Sequence, residues 1–424
     1  MKKAYRIVSM LLLVLFVFSA SAYASPANVT LRMCWWGNDT RHQAHLDAIA
    51  LYESLNPHVK IEAEYGGMEG YRQKLTTQLA GGQEPDLIWV DPPWLHDFAT
   101  QGDFFVDLYT QDIMDYSTLD QEILKGYIEF DGKLIGIPTG YNAHIFIVDD
   151  RIAELGIDLD KDWTWDDLME AGKKVHEANP NEYLLNSETK FINAIFFRNY
   201  MVQLIDDTLI GNDYTMNFTE EQLAQGLTMV QDLYLNNVVE PAQDADVYLQ
   251  QSTTNPKWMS GELRGALCWS STATSTQGFP DNIKAMRYPR IEGSTQSGAT
   301  VRPMPPVCIS KNSASVEESL KFLDFYINDP RAIEIMAPTR PFAPTAAGQE
   351  EALKQQTVRQ SYVDAFNLAA ADPGIPDNPP STNSEVENAF LDMVQAVAYG
   401  TATPADAAKA GVAALSEILS RIKN

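Results

Sequence analysis

The chain has 424 residues, with 57 Asp plus Glu against 31 Lys plus Arg, a formal charge of −26, and three cysteines. So acidic a surface repels nucleic acid and anionic lipid, and three cysteines are too few for a disulfide framework and leave at least one thiol unpaired in a monomer. A chain of about 400 residues exceeds what one hydrophobic core usually organises, so two domains are expected.

Lys2, Lys3 and Arg6 precede a mostly apolar run at 7–18, and Ala22, Tyr23 and Ala24 follow it. This is the pattern of a secretory signal with cleavage expected after Ala24. The run is too short to anchor the chain, and no later stretch approaches the roughly 20 apolar residues of a membrane-spanning helix. The nearest cysteine, Cys34, lies well beyond Ala24, so no lipid-attachment site stands at the cleavage point and a free periplasmic protein is expected. Without the signal, 28 basic residues face 57 acidic ones, a formal charge of −29.

Residues 29–36 read as a strand: Leu31, Met33 and Trp35 alternate on one face, Cys34 and Trp36 on the other, so both faces are expected to be largely buried. Asn38, Asp39 and Thr40 can each cap the helix that follows, which carries Ala44, Ala48, Leu51 and Leu55 on one side until Asn56 and Pro57 end it. A second strand at 59–65, the GGMEG turn, a helix marked by Tyr71, Leu75 and Leu79 and closed by Gly81 and Gly82, and a third strand in DLIWVD complete a β-α-β-α-β series. Short connections in that order imply parallel strands with right-handed crossovers. Ligands bind such sheets at the carboxyl ends of the strands, where the loops after Trp36, Tyr65 and Val90 converge.

Further along, TWDD at 164–167, TEEQ at 219–222 and SVEE at 315–318 have the form of capping boxes. Three proline-bearing stretches, GIPTGYNA (136–143), RPMPPV (302–307) and APTRPFAPTAAG (337–348), are candidate interdomain crossings, because proline fixes a path without joining a central ladder. The segment 372–383, DPGIPDNPPSTN, reads as a turn-rich loop before two last helices at 385–399 and 404–422.

Trp36 and Trp94 fall in loops after parallel strands, and Trp269 follows the apolar run GALC. A pyranose ring has an apolar C–H face and a rim of hydroxyls, so aromatic plates beside Asp, Asn and Arg suit it. Trp35, Trp89, Trp163, Trp165 and Trp258 read instead as core or helix-start packing. Asp39, Asp91 and Glu69 could include a glycosidase pair, which needs two carboxylates about 5 to 10 Å apart, although capping and solvated-loop roles also account for Asp39. His42 and His45 lie on a helix without an HExxH pattern or a convergent cysteine set, and read as solvated positions rather than zinc ligands. DLDKDWTWDD at 158–167 fails as a calcium loop, with Trp163 at the glycine position and Met169 at the glutamate position. There is no Walker lysine motif, no GxGxxG after a strand and no GxSxG elbow.

Taken together, WWGNDTRHQ, KIEAEY, GYRQKLTTQLAGGQEPDLIWVD, PWL, IPTGYN, WTWDDL, SGELRGALCW, CISKNS and the AYGTATPADAA joint resemble the extracellular solute-binding protein family 1, the carbohydrate-binding subunits of ABC importers. The resemblance covers essentially the whole chain after the signal. It implies an α/β, two-lobed periplasmic binding protein fold (type II, like the maltodextrin-binding protein) with three hinge crossings. The implied division is a signal at 1–24, an N-terminal lobe of 25–138 plus 306–339, and a C-terminal lobe of 139–305 plus 340–424. Carried over by position, substrate would meet Trp36, Asn38, Asp39, Arg41, Asp91, Trp94, Tyr141, Asn142, Trp269 and Arg302, with Glu69, Arg340 and Phe342 as further candidates. Met68 stands where many relatives carry an aromatic.

The resemblance further implies no metal, no cofactor and no catalytic residue. It implies a monomer whose partners are an oligosaccharide and the permease subunits of an inner-membrane transporter. Arg41, Arg302 and Arg340 admit an acidic sugar as well as a neutral one. The rival readings are a periplasmic glycoside hydrolase using Asp39 or Asp91, a protein of the same fold for a peptide, polyamine or metal complex, and a sensory co-receptor.

Overall fold

The computed structural model describes residues 28–112, 114–249, 254–271, 282–340 and 342–423, so the signal read at 1–24 lies outside the described residues. In chain order the strands are β1 (Val29–Trp36), β2 (Val59–Gly66), β3 (Leu87–Trp89), β4 (Glu129–Phe130), β5 (Lys133–Leu134), β6 (Ile137–Pro138), β7 (Tyr141–Asp149), β8 (Gly265–Trp269), β9 (Ile283–Met286), β10 (Val301–Pro303) and β11 (Pro306–Ile309). Two sheets organise the fold. The first has the order β2-β1-β3-β11-β6, with β1 parallel to both β2 and β3 and β11 antiparallel to β3. In the second, β8 lies along one edge of β7 while β10 and then β9 lie along the other, all antiparallel to β7.

The β-α-β-α-β reading of the first hundred residues is therefore observed, with helices Asp39–Leu55 and Tyr71–Gly81 as the crossovers. Each sheet has its own apolar core. Leu31, Met33 and Trp35 pack with the Val316–Asn328 helix around the first sheet, and Phe146, Val148 and Leu267 pack with helices Trp165–Ala178, Glu220–Leu235 and Ser384–Ala398 around the second. Trp35, Trp89, Trp163, Trp165 and Trp258 are all buried, as their positions predict.

The two sheets exchange the chain at each proline-bearing stretch. Thr139 and Gly140 alone separate β6 from β7, and Met304 and Pro305 alone separate β10 from β11. These crossings are bonded to one another: Met304 donates its N–H to the Gly140 carbonyl at 2.8 Å, and the Thr139 hydroxyl donates to the Pro305 carbonyl at 3.0 Å. At the third, the Tyr141 N–H donates to the Phe342 carbonyl at 2.7 Å. The space a Cβ on Gly140 would take lies 2.7 Å from that same Phe342 oxygen, so only glycine lets the three crossings pack this closely.

Two of the three expected capping boxes form. Thr164 accepts from the Asp167 N–H at 3.1 Å while Asp167 accepts from the Thr164 N–H at 2.9 Å, and Thr219 and Gln222 do the same at 3.2 and 2.9 Å. Thr164→Ala removes one such bond, and a fall of about 1 kcal/mol in unfolding free energy is expected by urea titration, with an unchanged m-value. The SVEE reading is corrected: Ser315 makes no side-chain cap, its own N–H donates to the Ser313 hydroxyl at 3.1 Å, and Glu318, which would have accepted it, turns to Lys321 at 2.8 Å and His58 at 3.7 Å. The histidine reading is also corrected. His45 is fully buried, stacked on Trp35 at 4.6 Å and bonded to the Tyr326 hydroxyl at 2.9 Å, since it lies on the sheet-facing side of its helix, between Trp35 and Trp89 of the sheet and Tyr326 of helix Val316–Asn328.

All three cysteines are buried thiols that form no disulfide. Cys34 and Cys308 flank Ile88 in register on either side of β3, and burial lifts the Cys34 thiol to about 11. Both are inert as nucleophiles in that state.

Candidate functional site

Where the carboxyl ends of the first sheet face the second sheet, a cavity of about 580 Å³ opens, continuous at Arg302, Asp377 and Thr382 with a neighbouring space of about 470 Å³. A larger groove of about 690 Å³ lies between the last two helices, but alanines and Met393 dominate it and its polar groups sit at the rim. A ligand site needs convergent polar groups on a concave apolar surface, and the cavity between the sheets supplies them.

The first wall grows from the loop after β3. Asp91 is the N-cap of helix Pro92–Gln101, yet its side chain makes no cap bond. The cause is local: Pro92 and Pro93 have no N–H to donate, and the Trp94 N–H goes to the Asp91 carbonyl oxygen at 2.8 Å. The carboxylate is left to face the cavity, where burial raises its pKa while Arg302 and Arg72 oppose the rise. Trp94, half-buried beside it, rests on Trp36 at 5.5 Å and Tyr71 at 6.4 Å. Arg72 lies over Trp94 at 5.7 Å and is paired with Asp97 at 2.6 Å.

The opposite wall is one face of the second sheet. Arg302 stands directly across from Asn142, and Trp269 directly across from His144. Opposed residues share a face, as do residues two apart on a strand, so Arg302, Asn142, His144 and Trp269 project to the same side. Tyr141, Ala143, Val301 and Cys268 take the other side, inside an apolar cluster. The Arg302 guanidinium lies over Trp269 at 4.4 Å. Asn142 braces the chain beyond Trp269, accepting from the Ser270 hydroxyl at 2.8 Å and the Ser271 N–H at 3.0 Å.

The third wall is the 372–383 loop with the start of helix Ser384–Ala398. Gly298 has a φ of +69°, and a Cβ there would meet the Asn199 backbone. With Gly374 packed against it and the Gly374 N–H donating to the Ala299 carbonyl at 2.8 Å, the loop lies flat beside β10. Buried Arg198 then ties it down, donating to Asp377 and to the Ser381 carbonyl at 3.0 Å each and pairing with Glu387 at 3.6 Å.

Of the residues expected from sequence, the structure gathers Asp91, Trp94, Trp269 and Arg302 on the cavity, with Asn142 on the same sheet face as Trp269 and Arg302. It does not bring the others there. Trp36 is 6% exposed, behind Trp94. The Asn38 side chain accepts the Arg41 N–H at 3.0 Å as the helix cap, and Asp39 and Glu69 are exposed. Arg41 folds back over Gly37 toward Trp89, 5.5 Å from its ring. The Tyr141 hydroxyl accepts the Asp120 N–H at 3.0 Å, on the far face of the sheet. Arg340 is buried over Tyr326 at 3.8 Å, and Phe342 stacks on Phe366 at 4.6 Å. Sequence reasoning missed Arg72, His144, Arg198, Asp377 and Glu387. His144 alone carried a signal, lying two residues beyond Asn142 on one strand face.

Burial depresses His144 to about 3 and His45 also well below its usual range. The unfolded chain therefore binds protons that the folded chain refuses. Stability is complete above about pH 6.5 and declines as pH falls toward about 3. A urea midpoint that falls between pH 7 and 4, with a shallower slope in His144→Gln, is the expected result.

The family model for bacterial extracellular solute-binding proteins matches residues 47–358. Among solved structures, a periplasmic solute-binding protein of Pectobacterium atrosepticum is 25% identical with a TM-score of 0.80, covering 93% of this chain and 100% of that one. A periplasmic oligogalacturonide-binding protein of Yersinia enterocolitica, solved with saturated digalacturonic acid, is 26% identical with a TM-score of 0.76, again over 93% and 100%. A protein of Brucella abortus (strain 2308) named as a binding protein is 21% identical over 275 residues, 65% of this chain and 66% of that protein, so the match spans just under two thirds of that relative. These neighbours share the two-lobed periplasmic binding protein fold, and no helix among the described residues is long and apolar enough to cross a membrane.

Proposed function

The chain belongs to the family of bacterial extracellular solute-binding proteins, and from that premise we propose that it captures an oligosaccharide between its lobes and delivers it to the permease subunits of an ABC importer. One observation carries the reading: Trp94 from one lobe and Trp269 from the other line the same cavity, each among groups that bond hydroxyls, Asp91 on one side and Arg302 on the other. A sugar touching both walls gains the full set of contacts only when the lobes close on it, and that differential affinity shifts the population toward the closed form. Interlobe closure is supported by the short crossings between the sheets, and a sugar ligand by the oligogalacturonide that the Yersinia relative binds.

The lobes divide as 25–138 plus 306–339 and 139–305 plus 340–424, with the signal at 1–24 removed on export to the periplasm, where the protein acts as a monomer without metal or cofactor. Binding without turnover accounts for the carboxylates. Asp377 and Glu387 are both held by Arg198, and exposed Asp39 serves the first turn of its helix, where an acid favours the dipole. Calorimetric titration with neutral and acidic oligosaccharides, followed by X-ray scattering at saturation, tests the reading. One-to-one binding with a smaller radius of gyration and no cleavage products is expected. Product formation would replace it with the hydrolase, and binding confined to peptides or polyamines would replace the sugar.

A further inference from the structure

We infer that the ligand carries a carboxylate, seated between the Arg302 guanidinium and the His144 imidazole, so that the protein selects uronic oligosaccharides over neutral ones. This rests on the oligosaccharide reading and names the class of sugar. Three arginines line the cavity. Arg72 is paired with Asp97 and Arg198 with Asp377 and Glu387, whereas Arg302 has no ion pair among the described residues. In a chain with 57 acids and 31 bases, a cavity guanidinium with no ion pair among the described residues stands out. Arg302 rests over the Trp269 ring, an arrangement that leaves guanidinium N–H donors free to grip a planar anion.

His144 supplies the second donor. It is 2% exposed, and its Nδ1 accepts the Thr300 N–H at 3.3 Å, with the Asn199 amide nitrogen 3.0 Å away. A backbone N–H can only donate, so Nδ1 is the acceptor and the proton of the neutral ring sits on Nε2. That Nε2–H has no partner among the described residues, although the ring lines the cavity.

The donors favour a carboxylate over a hydroxyl. Asn142, which shares this sheet face with Thr300, has its oxygen engaged by Ser270 and Ser271 and its nitrogen given to the Ser271 hydroxyl at 3.0 Å. Beside the Arg302 and His144 donors the face carries no carboxylate of its own among the described residues, and the Thr300 hydroxyl can donate as well as accept. A carboxylate accepts only, and so answers both donors with no proton of its own to place. The cavity's acids act on this wall only at a distance: Arg302 influences the titration of Asp91 and Glu387 without an ion pair to either, Asp91 projects from the opposite wall, and Asp97, Asp377 and Glu387 are paired with Arg72 and Arg198.

The test is calorimetric titration of the signal-free protein with short galacturonate and mannuronate oligomers, each beside its counterpart whose carboxylates are reduced to primary alcohols. At least one acid is expected to bind about 30-fold or more tighter than its reduced form, and Arg302→Gln to weaken the acid about tenfold more than it weakens the reduced form, removing most of that margin. His144→Gln should narrow the margin in the same direction, with circular dichroism to confirm that it folds; Arg302→Gln decides the matter if it does not. Reduced forms bound as tightly as the acids, or an Arg302→Gln loss equal for both, overturns the carboxylate assignment and leaves sugar binding intact. Failure of every acidic and neutral oligosaccharide to bind overturns the oligosaccharide reading itself, and this inference with it.

Discussion

Replacing Trp269 with alanine is expected to weaken ligand binding by about 100-fold, or about 2.7 kcal/mol. Two losses coincide in that substitution. The indole is the aromatic surface of the second-sheet wall, and it is also the seat of the Arg302 guanidinium 4.4 Å above it and the neighbour of the His144 ring at 4.0 Å. Without it, both groups lose a defined position, and aromatic contact and cation–π attraction disappear together. Titration calorimetry reads the effect directly. A loss under about threefold, with the thermal transition intact, would remove Trp269 from the site and leave Trp94 as its principal aromatic group.

Trp35→Ala should act on the other half of the problem, lowering stability by about 3–5 kcal/mol. The ring is fully buried, stacked between His45 at 4.6 Å and Tyr65 at 5.0 Å, and its indole N–H donates to His42 at 3.1 Å. Truncation opens a cavity in the first lobe and strands a histidine acceptor. The urea midpoint measures the cost. Protein that remains folded at low temperature should still bind ligand with near-normal affinity, because Trp35 does not line the cavity. A cost under about 1 kcal/mol would mean that His45 and Tyr65 repack to fill the gap.

These two tryptophans show what the sequence makes legible. Period-two alternation assigned Trp35 to the core, and the βαβ order placed Asp91 and Trp94 at the carboxyl end of a strand, both from local patterns. The same alternation separates Tyr141 from Asn142, since adjacent strand residues point to opposite faces. Named as a pair, they end on opposite sides of the sheet. Trp36 was assigned to an open loop by position alone, but Tyr71 and Trp94 close over it, and no local pattern reports a neighbour 58 residues away. The Arg198–Asp377 contact is further out of reach, joining residues 179 apart. Its only trace was the turn-rich 372–383 segment, readable as a loop but not as a wall.

The hydrogen-bonded crossings have a mechanical consequence. Because Met304 is bonded to Gly140, Thr139 to Pro305 and Tyr141 to Phe342, the joint is a laminated leaf spring and not three independent tethers. Shear and torsion would have to break those bonds, whereas bending flexes all the leaves at once. Closure of the kind proposed above would thereby have one soft direction of travel, and Trp94 and Trp269 would approach each other along that single arc.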